Sequence, residues 1–199
     1  MKKGAATREA IVGRALEQAV ALGLEGLSLG PLAESLELSK SGLFAHFKSK
    51  EALQLAVLEE AIERFRLRVI EPSLAQPRGR PRMEALVARW FDWIEGEPDM
   101  RGCIFAVTAQ EFDDRPPGVV RNRLVESQSA WHDTLARVAA DLPRGGAAPA
   151  DYCRQLVFEL VGISLAYQQQ AKLFRAANAR VRAEEAISRL LDDAEDALS

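Results

Sequence analysis

SLGPLAESLELSKSGLFAHFKSKE, residues 28–51, holds two short apolar-patterned segments joined by a tight turn, followed at once by the capped start of a longer helix. Ser28, Ser39 and Ser49 each stand before a helical run and read as N-caps. Ser39 and Ser49 lie ten residues apart, so the middle elements are short. Pro31 is tolerated in the first turn of its helix, where amides have no intrahelical acceptor. A helix that enters the major groove must open with small or polar side chains, or bulk holds it off the bases. Lys40, Ser41 and Gly42 open the third segment in that way. Ser39 leaves amides near where a phosphate would lie, and the positive helix end adds attraction. Lys50 begins the fourth helix, where an ammonium and unpaired amides can clamp one phosphate. Leu32, Ala33, Leu36, Leu43 and Phe47 supply a small core, and His46 sits at the segment's end. The pattern is that of a helix-turn-helix which binds double-stranded DNA. A plain three-helix bundle with solvated Lys40, Lys48 and Lys50 would not require the caps, small residues and lysines together.

Outward from this stretch, almost everything reads as helix, with no alternating strand and no hairpin signal. The first helix is expected from about Thr7 to Leu22, with Ile11, Ala15, Leu16 and Ala19 on one face and Gly23 as its stop. The fourth continues through Ala52, Leu53, Val57, Ile62 and Phe65 to about Ile70, before Pro72, as an unbroken lever joining head and body. Gln76 to Pro81 is a loop. Later helices are expected near 83–95, 104–112, 119–142, 151–177 and 180–198, with breaks at Gly96-Glu97-Pro98, Arg115-Pro116-Pro117-Gly118 and Pro143-Arg144-Gly145-Gly146. The fold class is therefore all-α: an N-terminal three-helix DNA-binding domain, 1–50, and a larger helical regulatory domain, 51–199, for ligand binding and dimerisation.

Composition agrees with a folded, water-soluble domain pair: 199 residues, 48% apolar, 28% charged. No apolar run is long enough to span a bilayer and the polar start lacks a signal-peptide core, so the expected location is cytoplasmic, with no membrane partner. The overall charge of −3 argues against nucleic-acid binding, but its distribution does not. Residues 1–50 carry +2 and the remaining 149 carry −5, a mildly basic head on an acidic body. Cys103 and Cys153 are far apart and read as reduced thiols rather than a disulfide framework.

Residues 7–55 resemble the DNA-binding domain of the TetR family of bacterial transcriptional regulators. The resemblance rests on Ile11-Val12, Ala15-Leu16, Gly23, Ser28-Leu29, Leu32-Ala33, the run from Leu38 to Phe47, and Ser49-Lys50-Glu51-Ala52-Leu53. It implies that Ser28, Lys40, Ser41, Gly42, Phe44, His46 and Lys50 face DNA, with Ser39 as the cap beside them. It also implies pairing of two chains through the last helices and a small molecule bound in the body. Three residues depart from the family pattern. Phe44 stands where Tyr is usual and lacks a phosphate-binding hydroxyl. Glu37 replaces a common turn Gly, which costs on the order of 1 kcal/mol if φ is positive there. Ala19 fills a place often held by Phe.

For dimerisation, Phe158, Val161, Leu165, Ile187, Leu190 and Leu191 form apolar stripes on the last two helices. For the effector site the candidates are Phe65, Trp90, Trp93, Cys103, Phe105, Gln110, Phe112, Trp131, Glu159, Tyr167 and Gln168, aromatic walls with a few polar anchors. Segment 102–116 resembles one found in a subset of the family's regulatory domains. Glu111, Asp113, Asp114 and His132 lack metal-ligand spacing and read as a solvated acidic helix end; neither a metal nor a cofactor is expected. The leading expectation is a homodimeric, ligand-released repressor of operator DNA, its effector unidentified. The alternative is a redox-sensing regulator using Cys103, whose thiol Arg101 could activate. With no phosphate loop, no nucleophile elbow and only His46 and His132 as imidazoles, an enzyme is not expected.

Overall fold

The computed structural model describes residues 2–96, 103–143 and 145–196. The expected break at Glu97-Pro98, Arg101, Gly102 and Arg144 lie outside the described residues. Among the described residues every regular element is helical, as the periodicity requires: α1 Lys2–Leu22, α2 Leu29–Ser35, α3 Lys40–Phe47, α4 Lys50–Phe65, α5 Glu71–Leu74, α6 Arg80–Glu95, α7 Ile104–Phe112, α8 Val119–Ala139, α9 Ala150–Lys172 and α10 Ala179–Asp196. A π-helical turn occupies Arg66–Ile70. None of the described helices is long and apolar enough to cross a membrane. The chain divides into two compact units, Met1–Phe65 with Gly96–Gln128 and Arg66–Glu95 with Ser129–Ser199.

In the first unit α1 lies along α4. The buried stripe Ile11, Val12, Ala15, Leu16 and Ala19 recurs every three or four residues, and so do Leu53, Val57, Leu58 and Ala61 on α4. Burying a Leu or Ile side chain contributes about 1.5–3 kcal/mol, so this seam dominates the unit's stability. Gly23 ends α1 at φ +76, a conformation open to glycine. Glu37 sits between α2 and α3 at φ 55, so the departure from glycine does place an L-residue in the left-handed region.

Several helix limits and one cap differ from the sequence reading; α8 ends at Ala139 rather than Leu142 and α9 at Lys172 rather than Ala177. α1 starts at Lys2 rather than Thr7. Ser28 occupies the N-cap position of α2 but its side chain makes no capping bond. A Ser cap bonds the amide of the second or third helical residue, and the third here is Pro31, which has no N–H. The α form of the fourth helix stops at Phe65; Arg66–Ile70 widens into the π turn and Pro72 enters the first turn of α5. A proline inside a helix lacks one bond and crowds the preceding turn, and a wider turn relieves that crowding. α6 begins at Arg80, since Pro81 in a first turn forfeits no hydrogen bond.

In the second unit α6 is clamped to α10 by two arginines. Arg80 pairs with Asp192 at 2.5 Å, and Arg180 pairs with Asp92 at 2.8 Å and Glu95 at 2.9 Å. The Tyr167 hydroxyl of α9 donates to Glu95 at 2.5 Å; burial and that carboxylate hold its pKa well above the usual phenol value. Trp90 and Trp131 meet edge to face at 5.3 Å. Ala183, Ile187, Leu191 and Ala194 form the inner face of α10. Ile187 and Leu191 are therefore core within the subunit, not free for a partner, whereas Phe158 (73% exposed) and Leu165 (50%) on α9 face outward.

Glu37→Gly should stabilise the protein by about 1 kcal/mol, because glycine reaches positive φ without the steric penalty an L-residue meets. A urea unfolding midpoint that rises at unchanged slope is the expected result.

Candidate nucleic-acid interface

The third helix owes its start to one side chain. Ser39 is extended (φ −72, ψ 151) and its Oγ accepts from the Gly42 amide at 3.0 Å. The same oxygen lies 3.1 Å from Ser41 Oγ. Leu43 and Phe47 are buried with Leu32 and Ala33 of α2, which leaves Lys40, Ser41 and Ala45 exposed and Phe44 half exposed. Gly42 and His46 are half-buried. Lys40 runs across Gly30 of α2: a Cβ there would lie 3.2 Å from Lys40 Cε. Lys48 closes α3 in the left-handed conformation, its amide on Phe44 O at 2.8 Å. Ser49 then caps α4 through the Ala52 amide at 3.1 Å. Two of the three expected serine caps form, and both flank α3.

Lys50 is held. Its Nζ donates to the Glu25 carbonyl at 2.6 Å and lies 3.7 Å from the Glu25 carboxylate. That carboxylate also accepts from Gln54 Nε2 at 3.0 Å and meets Arg115 at 3.3 Å. The Gln54 amide, then the charges of Lys50 and Arg115, hold it below the usual carboxylate range against the effect of partial burial. Glu111 of α7 accepts from the Leu24 amide at 2.8 Å and the Glu25 amide at 3.4 Å, satisfying donors of the α1–α2 turn. A side chain at Gly23 would strike this carboxylate, 1.8 Å from the Cβ position. Glu111, expected as part of a solvated acidic helix end, is instead engaged by these two amides, and Glu25 escaped the sequence reading, as did Arg8, whose guanidinium lies over the Phe47 ring at 5.1 Å. Their partners are remote in sequence, so no spacing signals them.

The effector candidates fall into both units. In the first, Phe65 and Phe105 meet edge to face at 5.5 Å, and Cys103 and Phe112 are buried. Arg115 stacks over Phe112 at 5.0 Å. Gln110 is exposed and lines no buried wall, because α7 turns that face to solvent. In the second, Trp90, Trp131 and Tyr167 are buried while Trp93, Glu159 and Gln168 are half-buried. Glu159 accepts from Gln155 at 2.7 Å along the surface of α9, so its carboxylate has an ordinary helix-surface partner. Cys103, at the N-cap of α7, is 5% exposed, which gives an oxidant little access. Cys153 is also buried, and burial pushes its thiol pKa up. Among the described residues no three His, Cys, Asp or Glu side chains gather as a metal-binding group.

Residues 11–57 match the model of bacterial regulatory proteins of the tetR family, and residues 79–187 match that of the tetracyclin repressor-like C-terminal domain. The chain belongs to the TetR family. It is a DNA-binding transcriptional regulator built from an N-terminal helix-turn-helix and a helical C-terminal domain. A TetR regulator from Chloroflexus aurantiacus J-10-FL superposes with a TM-score of 0.81 at 26% identity, covering 97% of this chain and 96% of the other. A TetR-family regulator from Streptomyces coelicolor gives 0.82 at 20% identity, covering 98% and 97%. AibR, solved with isovaleryl coenzyme A and operator DNA, gives 0.74 at 18% identity, covering 92% and 97%. No curated protein matches the chain in sequence.

The caps are separable by mutation. Ser39→Ala should cost about 1 kcal/mol of stability, the usual loss of an N-cap. Ser28→Ala should leave the unfolding midpoint unchanged, since its hydroxyl caps nothing. Urea titrations of the two variants check the contrast.

Proposed function

We propose that this TetR-family regulator is a repressor: a homodimer holds operator DNA and a small-molecule effector releases it. The observation that carries the reading is the exposed, Ser39-capped start of α3, with Lys40 and Ser41 outward over buried Leu43 and Phe47. In this reading residues 1–50 contact DNA and 51–199 sense and dimerise. Lys40, Ser41, Gly42, Phe44 and His46 meet the major groove, Ser28 and Ser39 flank it, and Lys50 grips a phosphate. Phe44 contributes ring contact only. Two copies reading a near-palindrome multiply the selectivity that one short helix lacks. The exposed Phe158 and Leu165 of α9 support a pairing face there.

The effector enters the body domain and prefers a conformation with different head spacing; linkage makes operator and effector each weaken the other. Trp90, Trp131 and Tyr167 in the second unit supply aromatic side chains suited to an organic ligand, and so, separately, do Phe65 and Phe105 in the first. Because AibR was solved with isovaleryl coenzyme A, short acyl coenzyme A thioesters are the first effectors to try. No catalytic step or cofactor enters this account, and the protein acts in the cytoplasm, where the DNA is.

The test is a gel shift with DNA flanking the protein's own gene against random DNA. Salt-sensitive preference for the flanking DNA is expected; no preference overturns the reading. Lys40→Ala should weaken binding and alter site preference. Lys50→Ala should weaken all sequences alike and reduce the slope of log K against log salt by about 1. Phe158→Asp with Leu165→Asp should turn the dimer into monomers by light scattering; an intact dimer places the pairing face elsewhere.

A further inference from the structure

We infer that Glu25 is a positioning residue that sets how much of the Lys50 ammonium is available to a DNA phosphate, with Arg115 as the counter-charge that loosens its grip. The inference rests on the proposed role of Lys50 as phosphate clamp. Its basis is the convergence on one short turn of two helical pairs, each spaced four residues apart. Lys50 and Gln54 of α4 approach from one side, and Glu111 and Arg115, at and just past the end of α7, from the other. The backbone carbonyl of Glu25 takes Lys50 Nζ at 2.6 Å, and the carboxylate lies 3.7 Å away, leaving the ammonium in a ready-made anionic cradle.

A phosphate must compete with that cradle. The carbonyl is a neutral acceptor, whereas the carboxylate supplies full opposing charge, so the carboxylate decides the contest. Arg115 at 3.3 Å neutralises part of it and so favours release of Lys50. Glu111 on the Leu24 and Glu25 amides fixes where Arg115 stands relative to this turn. A shift of the α7 end that withdraws Arg115 would leave Lys50 as the main cation beside Glu25 and lower the affinity for DNA at that contact. The groups are partly exposed, so the expected size is that of a surface pair, about two- to fivefold in affinity.

The experiment measures binding of the full-length protein to a labelled random-sequence duplex by fluorescence anisotropy, which isolates the phosphate contribution. Glu25→Gln should tighten binding about threefold, Arg115→Gln should weaken it by a similar factor, and both effects should vanish in a Lys50→Ala background. Glu25→Asp, which keeps the charge but shortens its reach, should also tighten binding; it serves if the Gln variant fails to fold. If Lys50→Ala alone leaves affinity unchanged, the clamp reading fails and this inference with it. If Lys50→Ala weakens binding but neither Glu25 variant changes it, the inference falls while the clamp stands. Equal tightening with and without Lys50 would reveal only the altered net charge, and would also overturn it.

Discussion

The turn from Gly23 to Glu25 is the point on which the first unit depends. Gly23 takes the positive φ that ends α1, and the chain then exposes amides with no helical acceptor. The Glu111 carboxylate accepts two of them, and Gln54 donates to Leu24 O at 2.9 Å. A helix end satisfied in this way has one direction in which to leave, and that direction sets where α2 and then α3 run. Tolerance here is small: the carboxylate fills the space a Cβ at position 23 would need.

Downstream, control passes from tertiary contacts to local chemistry. Ser39 and Ser49 cap α3 and α4 through the third amide of each helix, which defines both ends of the segment between them. α3 then divides into an anchoring side, Leu43 and Phe47, and an outward side of Lys40, Ser41, Ala45 and the half-exposed Phe44 ring. A short helix contributes little stability of its own, so its placement relies on this core, on the Arg8–Phe47 contact and on Lys40 lying across Gly30. Glu37 works against that economy, since an L-residue at φ 55 is strained where a glycine would not be.

The second unit follows a different logic. Arg80 and Arg180 sit between acidic partners, and Trp90, Trp131 and Tyr167 pack on aromatic rings. Such pairs fix helix register more than they add stability, because exposed ion pairs are individually weak. Ile187 and Leu191 of α10 turn inward, while Phe158 and Leu165 of α9 stay outside.

Local chemistry was legible in the chain. The helical class, the Ser39 and Ser49 caps and the buried Leu43 and Phe47 all follow from residues within a few positions of one another, whereas the positive φ at Glu37 was raised only by the family resemblance. Ser28 shows the limit even at short range, since the proline three residues on removes the amide its hydroxyl would cap. Tertiary structure alone decided which face of α10 is core, that Pro72 is absorbed by a π turn, and that Lys50 is held by Glu25. A periodic stripe records that one side of a helix is apolar but not whether its cover comes from the same chain or another. The charges around Glu25 meet because α4 and α7 converge on a turn, and convergence of segments far apart in sequence leaves no local mark on it.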